Sequence, residues 1–172
     1  IRDIRDVEAM ANLNAETNAK LKVADQIANA LIATAFAVKR PRALESSLAI
    51  LANEADRAIS GRIDALTSIV HTADRAFYTR PSNGGNPRQH HWVLKFPEVF
   101  DRPDGGFDAV LANPPFVDSE TMSRLDPDYR DYLSRFYVCA KGNWDLYIPF
   151  FERAHQICRH KGRISLVSPN KW

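Results

Sequence analysis

The sequence predicts an α/β fold, with a mainly helical N-terminal region over residues 1–89 and a shorter α/β segment over residues 90–172. Three observations predict it. Residues 1 to about 78 are rich in Ala, Leu, Ile, Glu and Arg, with apolar residues at helical spacing. From His90 the texture changes to short β-type runs separated by turns. Two of those runs, "FDAVLAN" (107–113) and "RISLVSP" (163–169), flank a long helical stretch. That is the pattern of a β-α-β unit with parallel strands.

The elements follow in order. Ile1, Ile4, Val7, Met10 and Leu13 recur at spacing three, and Leu21, Ala24, Ile27, Ala28, Leu31, Ile32, Ala35 and Phe36 continue as a wider stripe. Arg40-Pro41 ends that helix, because proline lacks an N–H and restricts the residue before it. A second helix runs from about Ala43 through Leu44, Leu48, Leu51 and Ala55. Ser60-Gly61 interrupts it, and the pattern resumes through Ile63, Leu66, Ile69 and Val70 to about Tyr78. "TRPSNGGNPRQ" is a loop by composition. "HHWVLKF" (90–96) is expected to be a strand ended by Pro97, and "RPDGG" a turn before the next strand. Residues 119–141 are expected to be helical with a break at Asp126-Pro127. "DLYIPFFERAHQICRHK" (145–161) has helical periodicity, with Gly162 as its stop.

Composition narrows the classes. At 172 residues, 45% hydrophobic and 26% charged, the chain has the make-up of a globular domain, or a slice of a larger one. The net charge of +2 does not argue for any partner. Arg153, Arg159, Lys161, Arg163 and Lys171 fall in a stretch without acids, which suits either a phosphate or a merely solvated face. Cys139 and Cys158 have neither disulfide nor metal spacing, which points to a reducing cytoplasm. No apolar run approaches the roughly 18 residues of a membrane helix, and no metal site is expected.

The chemistry concentrates in Asn113-Pro114-Pro115-Phe116, at the end of the buried-strand pattern. In parallel sheets, ligands bind beyond the carboxyl ends of strands. Two prolines stiffen the loop and present carbonyl oxygens without competing N–H groups. Asn113 adds a side-chain acceptor. Two acceptors side by side suit an –NH₂ group. An exocyclic amine on a nucleobase is a poor nucleophile, since its lone pair is delocalised into the ring. Accepting both its protons favours the pyramidal form and frees the lone pair. Phe116 offers a face on which a planar base can stack, and such a base must leave the duplex to reach it. The plainer alternative is a turn after a strand.

These residues resemble a known family. Asn113 to Phe116 looks like the catalytic motif of S-adenosylmethionine-dependent amino-methyltransferases. "HHWVLKFPEVFDRPDGGFDAVLANPPF" and "GNWDLYIPFFERAHQICRHKGRISLVSPNKW" resemble the N6-adenine DNA methyltransferases of fused, type IIG-like restriction–modification enzymes. "AKLKVADQIANALIATAF" is more loosely similar to a helix upstream of that loop. The resemblance implies a fragment of a Rossmann-like methyltransferase parallel sheet. It implies that Asn113 and the Pro114 carbonyl hold the target amine, that Pro115 stiffens the loop, and that Phe116 stacks on a flipped adenine of double-stranded DNA. It implies a cofactor-side position for Asp145, Leu146 and Tyr147, against the alternative of a helix cap plus core. Ser168-Pro169-Asn170 match the end of the next strand, near the substrate cleft or as an ordinary turn. Pro149 departs from the family and is expected to kink or shorten its helix.

The family's glycine-rich cofactor loop has no counterpart among the seven glycines here. The chain is therefore expected to be an internal fragment, inactive alone. Its S-adenosylmethionine-binding and target-recognition regions are expected elsewhere in the same polypeptide, and an incomplete sheet is expected to leave apolar surface open. An RNA or protein amino-methyltransferase, or a non-catalytic DNA-binding or assembly module with a degenerate methylase fold, remain as alternatives. Weaker constellations add little. His90-His91 would face opposite sides of a strand, His155 and His160 are five apart, and Glu98 beside Pro97 suits a structural role. No nuclease signature follows Pro103-Asp104 or Pro127-Asp128. Tyr129, Tyr132, Phe136 and Tyr137 interleaved with Arg124, Arg130 and Arg135 suit a DNA-facing lid, though Asp126, Asp128 and Asp131 offset the charge.

Overall fold

The computed structural model describes residues 4–77 and 89–170. The polar loop with Gly84-Gly85 lies outside them. The chain divides into two compact units, Ile1–Leu94 and Lys95–Trp172. Among the described residues no helix is long and apolar enough to cross a membrane.

In the first unit, α1 (Ile4–Ala37), α2 (Pro41–Ile59) and α3 (Ile63–Phe77) pack on one another. Pro41 sits in the first turn of α2, where its missing N–H has no intrahelical acceptor to lose. The core is Ala30, Leu51, Ala58, Ala65, Ile69 and Ala73, flanked by Val23, Ile27, Ala55 and Leu66. Alanine at so many contacts lets the helices approach closely, while Leu51 and Ile69 supply bulk, each worth about 1.5–3 kcal/mol when fully buried. The stripe is helical from Ile4 on, with Met10 and Leu13 59% and 65% exposed, while Val23 and Ile27 pack against the core.

The α2–α3 junction is a Schellman turn. The Arg62 N–H donates to the Arg57 carbonyl and the Gly61 N–H to that of Ala58, both at 3.0 Å. Gly61 takes φ 87°, which an L side chain resists. Arg57 fastens the corner by bonding Glu54 at 2.7 Å and also Asp64 in the first turn of α3.

The expected strand at 90–96 does not form. Trp92–Lys95 is instead a single helical turn, α4, and Pro97–Phe100 another, α5. A strand needs a neighbour to satisfy its backbone, and among the described residues none pairs with 90–96. His91 uses its Nε2 to meet Asn29 Oδ1 at 2.8 Å, and the His90 ring stands edge-on to Trp92.

The second unit holds a two-stranded parallel sheet, β1 (Phe107–Ala112) and β2 (Cys158–Leu166). The connection between them carries α6 (Ser119–Leu125), α7 (Pro127–Phe136) and α8 (Tyr147–Ile157). Ala109–Ala112 pair in register with Arg163–Leu166, as the β-α-β pattern predicts. Asp126 separates α6 from α7, with its carboxylate accepting the Tyr129 N–H at 3.1 Å and Pro127 opening α7. Gly106 precedes β1 at φ 132°, where an added Cβ would lie 2.6 Å from the Arg159 nitrogen.

Two expectations are corrected here. α8 ends at Ile157, not Lys161, and Gly162 is not its stop. Cys158 turns extended and pairs with Phe107, and 159–162 loop out before Arg163, with Lys161 at φ 60°. Continuing the helix would forfeit that pairing and the Arg159 ion pair with Asp108. Pro149 is the third residue of α8, in the first turn, where backbone N–H groups have no intrahelical partner, and the helix begins at Tyr147 rather than Asp145.

The core of this unit is Met122, Leu133, Ala140 and Trp144, with Val117, Tyr129, Tyr132, Tyr137, Leu146 and Ile148 against it. The sheet itself is thinly covered, leaving Leu111 78% and Val167 58% exposed. Parallel sheets are ordinarily covered on both faces.

Candidate active site

Because the strands are parallel, β1 delivers Asn113 and β2 delivers Ser168-Pro169-Asn170 to the same end of the sheet. The Val167 N–H donates to the Ala112 carbonyl at 3.0 Å, extending the pairing to the edge of the loop. Pro114 is buried, Asn113 and Pro115 are exposed, and Phe116 is 55% exposed. The Asn113 carboxamide makes no hydrogen bond among the described residues, so its oxygen is free to accept one.

The far end of the loop is held as firmly. Val117 packs into the core, and its carbonyl accepts the Leu146 N–H at 2.8 Å. Asp118 caps α6, taking the Thr121 N–H at 2.8 Å and the Thr121 hydroxyl at 3.0 Å. The Thr121 backbone N–H and then its hydroxyl hold the Asp118 carboxyl below its ordinary range. A six-residue link between strand and helix is thus pinned by backbone bonds at both ends, with two prolines between.

Phe116 meets Tyr147 edge-on, ring centroids 6.3 Å apart at 88°. Tyr147 is only 4% exposed and leans in turn on Phe151 at 6.4 Å. So the fold brings Asn113, Pro114, Pro115 and Phe116 into one loop with Tyr147 behind the aromatic ring. Asp145 is half-buried two residues earlier, with its carbonyl accepting the Ile148 N–H at 3.0 Å as α8 begins.

Most of the aromatic and basic residues after the loop pack inward, while Arg124 and Phe136 are exposed. Tyr129, Tyr132 and Tyr137 lie against the core, and burial raises the Tyr132 and Tyr137 hydroxyls above their ordinary range. Arg135 pairs with Asp131 at 3.2 Å. Arg130 is turned onto the protein: Nε donates to Ser123 Oγ at 2.9 Å, and Nη2 to Ser119 Oγ at 2.5 Å and to the Gly142 carbonyl at 3.0 Å. Its guanidinium lies 4.8 Å from the centroid of the buried Trp144 ring. Sequence reasoning did not see this clamp, nor Val117 and Leu146 as anchors. Ser119, Ser123 and Arg130 at spacings of four and seven were the only signal, and the turn at Asp126-Pro127 breaks that periodicity.

Part of the basic stretch lies away from the loop, and Lys171 lies outside the described residues. Arg159 and Lys161 belong to the excursion beside Phe107 and Asp108, at the opposite end of the strands from Asn113. Arg159 bonds Asp108 and Arg102 stands 3.7 Å from it, so the hydrogen bond from Arg159, then its charge and that of Arg102, hold the Asp108 carboxyl below its ordinary range. Glu152 binds the backbone from α8, accepting the Val138 and Cys139 N–H groups at 3.1 and 2.9 Å.

The described residues do not by themselves form a site that fits S-adenosylmethionine. The described glycines serve a helix turn, the entry to β1, the approach to Trp144 and the β2 excursion, and none follows a strand as a cofactor cradle would require. The cavity bounded by Tyr129, Leu133, Tyr137, Leu146, Pro149, Phe150 and Arg153 is about 110 Å³. Pockets that enclose a ligand of cofactor size run to roughly 300 Å³ or more.

Comparisons with known proteins agree with one another. The chain is 33% identical over 73 residues to the "Type II restriction enzyme and methyltransferase RM.Eco57I" of Escherichia coli, a match spanning 42% of this chain and 7% of that protein. It is 36% identical over 67 residues to the "Type II methyltransferase M.XhoI" of Xanthomonas vasicola, spanning 38% of this chain and 12% of that protein. The chain therefore covers only a small part of the curated relatives it matches. No solved structure matches it. The model of the Eco57I restriction-modification methylase family matches residues 47–172, a span that holds the whole Asn113–Phe116 loop and both strands beside it, and the chain belongs to that family.

Proposed function

We propose that this chain carries the amine-binding loop of an adenine-N6 DNA methyltransferase, within a Rossmann-like methylase domain of a restriction–modification system. The observation that carries the reading is the Asn113–Phe116 loop itself. It lies at the carboxyl end of a parallel strand and is pinned on both sides, with Pro114 buried and Asn113, Pro115 and Phe116 exposed, an unused carboxamide oxygen and a half-exposed aromatic ring. In this reading the Asn113 side-chain oxygen and the Pro114 carbonyl accept the two protons of a flipped adenine's amine. The amine nitrogen then pyramidalises and its lone pair is available to an electrophilic methyl group. Pro115 limits the loop's freedom, Phe116 stacks on the base, and Tyr147 braces Phe116 from behind. Asp145 is the residue of this segment offered to the cofactor side.

S-adenosylmethionine is the methyl source this reading assigns, held chiefly by residues of the same polypeptide other than those described here. One curated relative is by name a Type II restriction enzyme and methyltransferase and the other a Type II methyltransferase, and the first name favours duplex DNA over RNA or protein as substrate. A cytoplasmic location accords with two free cysteines, Cys139 and Cys158.

The test is Asn113→Ala in the intact enzyme. It removes one acceptor for the amine and is expected to slow methylation by about 10²–10³-fold, as when one preorganised hydrogen-bonding group is lost. Duplex affinity is expected to change little, because phosphate contacts carry most of it. Methylation of RNA or protein but not DNA, or full activity in the variant, overturns the reading.

A further inference from the structure

We infer that Arg130 is a positioning residue for the Asn113–Phe116 loop, acting through the start of α6 and the 142–147 segment, and without touching substrate. This rests on the amine-binding reading of that loop.

Four contacts converge on one side chain. Ser119, 6% exposed, is the first residue of α6 and follows the Asp118 cap that closes the loop. Arg130 grips it, and Ser123 one turn on, from α7. The same guanidinium holds the Gly142 carbonyl and lies against Trp144. From Trp144 the chain runs through Asp145 to Leu146 and Tyr147, the residues that hold Val117 and brace Phe116. Arg130 is thus the side chain that joins the exit of the loop to the segment supporting its aromatic ring. Gly142 takes φ 66° immediately before this segment, so the turn lacks a side chain of its own to fix it.

The choice of arginine follows from this geometry. A planar fork can donate in several in-plane directions while its face rests on an indole. A lysine ammonium is a point charge, unable to cover three acceptors spread across two elements and an aromatic face together. Displacements of about 1 Å at a reacting group can cost 10²-fold in rate, so a clamp of this kind acts on turnover more than on binding.

The experiment compares Arg130→Met, Arg130→Lys, Ser119→Ala and the double variant in the intact enzyme, with Arg42→Met on α2 as an exposed control of the same charge. Single-turnover methylation at saturating duplex and S-adenosylmethionine is corrected for the folded fraction. A duplex carrying 2-aminopurine at the target base reports extrusion by its fluorescence. Arg130→Met is expected to lower the corrected rate about 10–100-fold, with duplex Kd within about threefold. Arg130→Lys is expected to recover only a minor part, and Arg42→Met to match the parent. Ser119→Ala is expected to slow transfer severalfold alone and to add nothing to Arg130→Met, since both break one clamp. The fluorescence rise on base extrusion is expected to shrink in step with the rate. Corrected rates at the parent level, or complete rescue by lysine, overturn the inference. If Arg130→Met does not fold, Ser119→Ala decides, and a parental rate there overturns it equally. Asn113→Ala runs alongside. If it is inactive while the clamp variants are normal, only the Arg130 inference fails. If it is active, the reading of the loop has failed first.

Discussion

Replacing Phe116 separates a stacking platform from a core residue, because the two make opposite demands on exposure. Phe116 is 55% exposed, so a little under half of its surface is covered, with Tyr147 as its aromatic neighbour. With aromatic side chains burying 150–250 Å² when enclosed, that is on the order of 90 Å², or about 2 kcal/mol at ~25 cal/mol/Å², part of which alanine's Cβ retains. Phe116→Ala is thus expected to cost about 1–2 kcal/mol of stability, below the 3–5 kcal/mol of a fully buried phenylalanine. Its effect on the flipped base is a separate loss of about 1–3 kcal/mol in stacking, roughly a 5- to 150-fold fall in productive complex. Phe116→Trp keeps the platform. Because the ring is half in solvent, the larger side chain has room that an enclosed core site would deny. Methylation rate and urea midpoint measured on the parent, Phe116→Ala, Phe116→Tyr and Phe116→Trp give the answer. Tyr and Trp are expected to retain activity while Ala loses it at full folding. Rates that follow stability across all four, or a Trp variant that fails to fold, would refute the platform argument.

Other outcomes follow from the same structure. Gly61→Ala is expected to destabilise the helical unit by about 1–2 kcal/mol in urea titration, because φ 87° is strained for alanine although its Cβ would meet nothing within 4 Å; Gly61→Asn is expected to cost less. The Cys139 thiol, pushed up to about 12 by desolvation and by Glu152, is expected to react with iodoacetamide at pH 8 about 10–100-fold more slowly than an ordinary thiol despite its exposure, and Glu152→Gln to speed it. Asp118 and Asp108 hold their protons less well folded than unfolded, since hydrogen bonds from Thr121 and Arg159 depress both. Their contribution is therefore complete above the ordinary value of 3.8 and lost as pH falls through the folded values. The urea midpoint should drop below about pH 4, and Asp118→Asn, which still caps a helix, should flatten that drop.

Local chemistry was legible wherever a few adjacent residues decide the backbone. Arg40-Pro41, Ser60-Gly61 and Asp126-Pro127 each mark a helix boundary in the sequence and in the fold, since a missing N–H, a positive φ and a capping carboxylate act within one turn. The parallel pairing of 109–112 with 163–166 was also legible, from two β-type runs either side of a helical stretch. So was the position of Asn113 at a strand's carboxyl end.

What failed was whatever depended on a partner remote in sequence. "HHWVLKF" has strand composition but finds no strand to pair with, so it turns into α4. Residues 158–161 keep helical periodicity but are drawn out by Phe107 and by Asp108's hold on Arg159. The aromatic and basic mixture of α7 read as a surface for nucleic acid, yet its tyrosines face the core and Arg130 closes on Ser119, Gly142 and Trp144. By itself the sequence determined the helix boundaries set by adjacent residues, and that two prolines follow Asn113 at the carboxyl end of a strand. Only the tertiary structure decided what braces that loop, because a brace consists of contacts whose members lie up to thirty or more residues apart, and no local preference encodes them.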